Sequence, residues 1–128
     1  MLYFAAALIF LLGLVHSVLG ERYILVRLFR RDHLPKLFGS TAFTTQTLRF
    51  AWHLTTVVWW GLAALILLST RRSLNTQDVL HTIAWIALIS GLFPLVFTRG
   101  KHLAWLVFFA VALLLFISAG TEPHAMLP

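Results

Sequence analysis

Two histidines embedded in apolar sequence carry the chemistry legible in this chain. His53 lies in RFAWHLTTVVWWGL, residues 49 to 62, where Arg49, His53, Thr56 and Trp60 recur at spacings of four, three and four and so share one face of a helix. His16 lies in HSVLGE, five residues before Glu21. An imidazole in a segment built for lipid is costly unless it gains a hydrogen bond or a ligand, which makes both positions candidate sites. With Glu21 and Arg49 taken as the interface, each imidazole lies roughly 6 to 8 Å below it at about 1.5 Å of rise per residue, so the two share a layer.

Three chemistries could use that layer. Facing imidazoles can be the axial ligands of haem b, with Trp60, Thr56, Trp52 and Phe50 lining the slot and Arg49 answering a propionate. His16 and His53, with Glu21 or His102, could instead hold copper, zinc or iron, because neutral imidazole and carboxylate suit those ions. The same groups could also bind a quinone headgroup or relay protons. Against all three stands a packing role, in which Ser17, Thr56 and Gln46 satisfy both rings by interhelical hydrogen bonds. Of the other histidines, His102 enters the fourth span beside Lys101, His81 lies near the opposite end of the third, and His33 and His124 fall in polar segments.

Composition limits what else the chain can do. It has 128 residues, 60% of them hydrophobic and 11% charged, too apolar to cover its own surface as a soluble domain. The absence of cysteine removes disulfides, thiolate metal sites and cysteine nucleophiles. Four acidic residues, with no nucleophile elbow, phosphate loop, HExxH or paired carboxylates, leave little for hydrolysis. An enzyme of this composition would be a cofactor-dependent membrane oxidoreductase. The net charge of +6 comes from basic residues between apolar runs, where they set topology and meet lipid headgroups, so nucleic acid is not an expected partner.

The elements that position the histidines are four apolar runs, about 2–20, 44–68, 76–97 and 102–120, each near the length needed to cross a bilayer. The first is read as a retained span rather than a signal peptide, because no basic residue precedes it. Its helix is expected to continue outward past Glu21 until Pro35 breaks it. Asn75 followed three residues later by Asp78 predicts a capping pair for the third helix, and Thr98-Arg99-Gly100-Lys101 predicts a tight turn into the fourth. Ala6, Gly13 and Gly20, seven apart, mark the face on which the first helix meets a neighbour. The expected fold is all-α: one domain, residues 1–128, folded as an antiparallel up-down four-helix transmembrane bundle. Eight of the ten basic residues fall at one end, Arg49 included, so the positive-inside rule places both termini outside a bacterial inner membrane.

His16-Ser17 with Gly20-Glu21, followed by Arg49-Phe50-Ala51-Trp52-His53-Leu54-Thr55, resembles a group of small bacterial inner-membrane proteins of four helices, a resemblance that covers the first half of the chain and implies no activity. More locally, His53 with Trp60, Gly61 and Leu62 is similar to a helix pattern of copper-resistance membrane proteins and membrane b-type cytochromes, whose further histidine motifs are missing here. The sequence therefore leads to an expected intramembrane histidine layer that binds haem b for electron transfer with the quinone pool. The alternatives are a non-catalytic structural or assembly subunit, in a larger membrane complex or a homo-oligomer, and a transition-metal binding protein.

Overall fold

The computed structural model describes residues 1–31 and 33–121, and His124 lies outside them. Four long helices account for most of this: α1 (Leu2–Leu19), α2 (Ala42–Arg71), α3 (Thr76–Phe97) and α4 (Ala104–Thr121). At Gly20 the first helix widens into a π-helical turn, Gly20–Leu25, and closes with Val26–Leu28. The whole 27-residue stretch and the other three helices are each long and apolar enough to cross a membrane. Their bounds follow the apolar runs closely. The first helix runs on beyond its run, as expected from the mixed apolar and basic residues after Glu21, but it ends at Leu28, before Pro35 is reached.

The predicted caps form. Asn75 Oδ1 accepts the Asp78 N–H at 2.8 Å, and Asp78 Oδ2 accepts the Asn75 N–H at 3.1 Å, which satisfies two donors at the start of α3. The turn between α3 and α4 has positive φ at Arg99 (51°) and Gly100 (77°).

Closure into a bundle does not follow. Among the described residues α1 packs on α2, α2 on α3 and α3 on α4, while α1 makes no close backbone contact with α3 or α4. The helices thus form an open antiparallel row. Short connections dictate that neighbours run antiparallel, but closure needs a further seam between helices distant in sequence. The seams present join sequential helices: a Cβ on Gly13 or Gly20 would strike α2, one on Gly61 would strike Ile86 of α3, and one on Gly91 would strike Phe109 of α4.

Candidate functional site

The α1–α2 seam is built from small residues facing large donors. Trp52, Thr56 and Trp60, spaced by four along α2, donate to main-chain carbonyls of His16 (3.2 Å), Gly13 (3.2 Å) and Phe10 (3.1 Å), spaced by three along α1. This meshes an i±4 row with an i±3 row. Gly20 and Gly13 are the hollows into which the Trp52 and Trp60 indoles fit, and Ala6, Gly13 and Gly20 are all buried, as their seven-residue spacing predicts. Trp60, expected to line a cofactor slot, instead stacks on Phe10 at 5.0 Å.

The polar groups of the layer sit on two flanks of this seam. On one, the His16 ring stacks on Trp52 at 4.4 Å with planes 3° apart, and Trp59 meets it edge-on. Thr55 donates its only hydroxyl proton to the Trp52 carbonyl at 2.7 Å, so the His16 Nε2 contact at 3.0 Å requires the imidazole to donate to Thr55 Oγ1. On the other flank, Thr56 donates to the Gly13 carbonyl and accepts from Ser17 Oγ at 2.8 Å, so Ser17 in turn accepts from His53 Nδ1 at 2.8 Å. The His53 Nε2 is left facing Glu21 Oε2 at 3.5 Å, a contact that is attractive only with a proton on one of the two. Glu21, in the π-helical turn, is held by Arg49 through Nη2–Oε1 at 2.9 Å and Nε–Oε2 at 3.2 Å. The Glu21–Arg49 ion pair thus ties the turn that extends α1 to the start of α2.

The chemistries proposed for the layer can be tested against this donor set. A bis-histidine haem needs two imidazole lone pairs converging on one iron from opposite sides of a porphyrin-wide slot. Here His16 points its Nε2 proton at Thr55 and His53 turns to Ser17 and Glu21 on the other flank, so the pair does not fit that group. Nor are His16, His53, Glu21 and His102 gathered into a metal centre: His102 stacks on Phe43 at 5.7 Å and caps the Ala104 N–H through Nδ1, and among the described residues no three His, Asp or Glu side chains could share an ion. The Glu21–His53–Ser17–Thr56 chain ends on the Gly13 carbonyl, so a proton entering at Glu21 has no onward acceptor within it. Two grooves, about 440 and 530 Å³, are lined mainly by apolar side chains around Trp60, with Thr82 and Trp85 in the first and Tyr3 in the second, and neither is lined by a histidine, so the histidine layer does not face them.

Of the residues proposed from sequence, His16, His53, Thr56, Arg49, Glu21 and Trp60 do meet at one seam, and Ser17 joins them. Gln46 does not reach either ring; it lines a separate polar cavity with Arg99 and Lys101. Trp52, expected to line a haem slot, anchors the seam instead, and Thr55 joins it without having been predicted. Their signal was the register of Trp52, Thr56 and Trp60 against Gly20, Gly13 and Ala6, which an antiparallel pair of helices brings opposite one another. Because Ser17 and Thr56 share one hydrogen bond, their losses should not add: Ser17→Ala and Thr56→Val are each expected to cost about 1 kcal/mol in sodium dodecyl sulfate unfolding, and the double variant about 0.6 kcal/mol less than their sum. Additive losses would show that the two hydroxyls are not coupled.

What the fold and seam define is an all-helical protein with four membrane-length apolar helices, whose central polar residues join the first two. Comparison with family models, curated proteins and solved structures returns no match.

Proposed function

We propose that this chain is a non-catalytic structural or assembly subunit of a membrane complex. The observation that carries this reading is that the polar stripe of α2 is consumed by α1. Arg49, His53, Thr56 and Trp60 each bond to α1 or to the π-helical turn that extends it, and none is offered to a ligand. Polar side chains used this way act as interhelical glue, fixing the register of a pair whose outer surface is apolar. The open row supports the same reading, since both end helices present exposed leucine and valine along most of their length, joined by phenylalanine on α1 and isoleucine on α4. In a bilayer such faces are compatible with lipid and with other helices, and no domain of the described residues stands outside the four helices to do anything else.

The orientation that accompanies the proposal puts the basic end, with the α1–α2 connection and the Arg99–Lys101 turn, in the cytoplasm of a bacterial cell. Purification from native membranes in mild detergent, followed by native gel analysis and an oxidised-minus-reduced absorption spectrum, tests the reading. The expected result is a species of fixed stoichiometry larger than the monomer, no haem bands, and loss of that species in His16→Gln/His53→Asn. A haem spectrum that disappears in the double variant while assembly persists would overturn it.

A further inference from the structure

The seam between α1 and α2 leaves one polar cavity unexplained, at the basic end where the helices finish. It has about 250 Å³ and lies between the start of α2 and the α3–α4 turn, with Ser40, Gln46, Arg99 and Lys101 in its wall. No carboxylate lines it. Its size is below that of a drug-sized pocket and suits a small headgroup. Among the described residues the carboxylates are Glu21 and Asp78, which pair with Arg49 and Arg72, so neither cation of this cavity is matched by them.

The backbone that carries the two cations is anchored. Thr98, 1% exposed, donates to the Pro94 carbonyl and accepts the His102 N–H at 3.0 Å. The Gly100 N–H bonds the Leu95 carbonyl at 2.8 Å, and the Trp105 indole bonds the Gly100 carbonyl at 3.2 Å. His102 then stacks on Phe43 and meets Phe50 edge-on, which ties the turn to α2. On the opposite wall Ser40 accepts the Ala42 N–H at 3.4 Å, leaving its own hydroxyl proton to donate. Two cations, a hydroxyl and an amide on anchored backbone form a preorganised donor set of the kind that takes phosphate.

Beside the cavity the chain makes a two-residue turn in which Phe38 (φ 55°) and Gly39 (φ 82°) both have positive φ, closed by reciprocal hydrogen bonds between Leu37 and Ser40. A bulky residue seldom takes that conformation. Here it lifts Phe38, 84% exposed, to the rim together with Leu37, 48% exposed. A polar cavity with an apolar rim, at the level where membrane-length helices end, matches a molecule with a phosphate head and acyl chains.

We infer that the cavity bounded by Ser40, Gln46, Arg99 and Lys101 is a binding site for a phosphate group, that of an anionic phospholipid seated with its chains against Phe38 and Leu37. The inference needs the helices to cross a bilayer but not the subunit reading above. Its test is a titration of the detergent-solubilised full chain with short-chain phosphatidylglycerol, read by native mass spectrometry. One saturable adduct is expected in the wild type. Arg99→Gln/Lys101→Gln should weaken it roughly thirtyfold, and Lys101→Gln, which leaves the positive-φ pair untouched, about fivefold. Arg30→Gln/Arg31→Gln removes the same charge from the same end and should weaken it by less than about threefold. Equal weakening by the two double variants, or no saturable adduct in the wild type, would overturn the site. Inorganic phosphate in large excess assigns the source: displacement of the lipid marks a site for free phosphate, and retention marks one for the lipid.

Discussion

Gly20→Ala is expected to destabilise the protein by about 2 to 3 kcal/mol, while Gly61→Ala, with the same nominal clash, changes stability by less than about 1 kcal/mol. A Cβ on Gly20 would lie 2.2 Å from the Trp52 indole nitrogen and 2.5 and 2.6 Å from two further ring atoms. That ring cannot slide away cheaply, because one face stacks on His16 and its N–H is bonded to the His16 carbonyl. Overpacking a rigid neighbour costs about 1 to 3 kcal/mol, and losing the hydrogen bond adds about 0.6 to 1.7, against which the better helix propensity of alanine returns only about 1. At Gly61 the nearest atom is also 2.2 Å away, but it is the Cδ1 tip of Ile86, which lines the groove of about 440 Å³ and has room to turn. Reversible unfolding in mixed micelles measures both. A second arm fixes the cause: Trp52→Phe should cost at least about 1 kcal/mol less in the Gly20→Ala background than alone, since the clash and the bond are lost together. Equal losses at Gly20 and Gly61, or no coupling to Trp52, would remove the indole from its place as the seam's anchor.

That contrast also shows how far the sequence could be read. The helices were legible because each is a long apolar run of membrane-spanning length, and their ends because Asn75, Asp78 and the Arg99-Gly100 pair obey local backbone chemistry that acts within a few residues. Ala6, Gly13 and Gly20 were legible as a contact face for the same reason: small residues in register leave a hollow wherever the neighbour comes from. What spacing could not supply was rotation. His16 and His53 do share a layer, yet depth along an axis says nothing of the direction in which a ring points. The residues that decide it are Ser17 and Thr55, small hydroxyls that sit next to or near each histidine in sequence and bond the ring of the other helix, His53 and His16 respectively. A hydroxyl with one proton fixes which imidazole nitrogen must donate, and that constraint becomes readable only once the partner carbonyl is known. The open row was hidden for a related reason, since helix closure depends on a long-range seam that no single segment encodes.

Arg49→Gln should cost about 1 to 3 kcal/mol, and Glu21→Gln, which breaks the same ion pair, less than about 1. Removing one partner of a fully buried pair costs about 3 to 5 kcal/mol, but the two side chains here are 34% and 32% exposed, so solvent screens part of that loss. The asymmetry comes from what each change leaves behind. Without Glu21 the guanidinium still lies over the Phe29 ring at 5.0 Å and its long stem can carry the charge outward to water, while glutamine at 21 retains an oxygen that can accept. Without Arg49 the short Glu21 side chain stays on the π-helical turn, where His53 Nε2 at 3.5 Å is its remaining charge-capable neighbour on α2. A carboxylate cannot follow the chain out to the interface as an arginine can, so its desolvation is less well relieved. Unfolding of both single variants and of the double variant in mixed micelles reads this directly, with Arg49→Gln/Glu21→Gln expected to recover most of the Arg49→Gln loss. If Glu21→Gln proved the costlier change, Arg49 would be the group that cannot leave, and the seam would be organised around a trapped cation rather than around a carboxylate held by two donors.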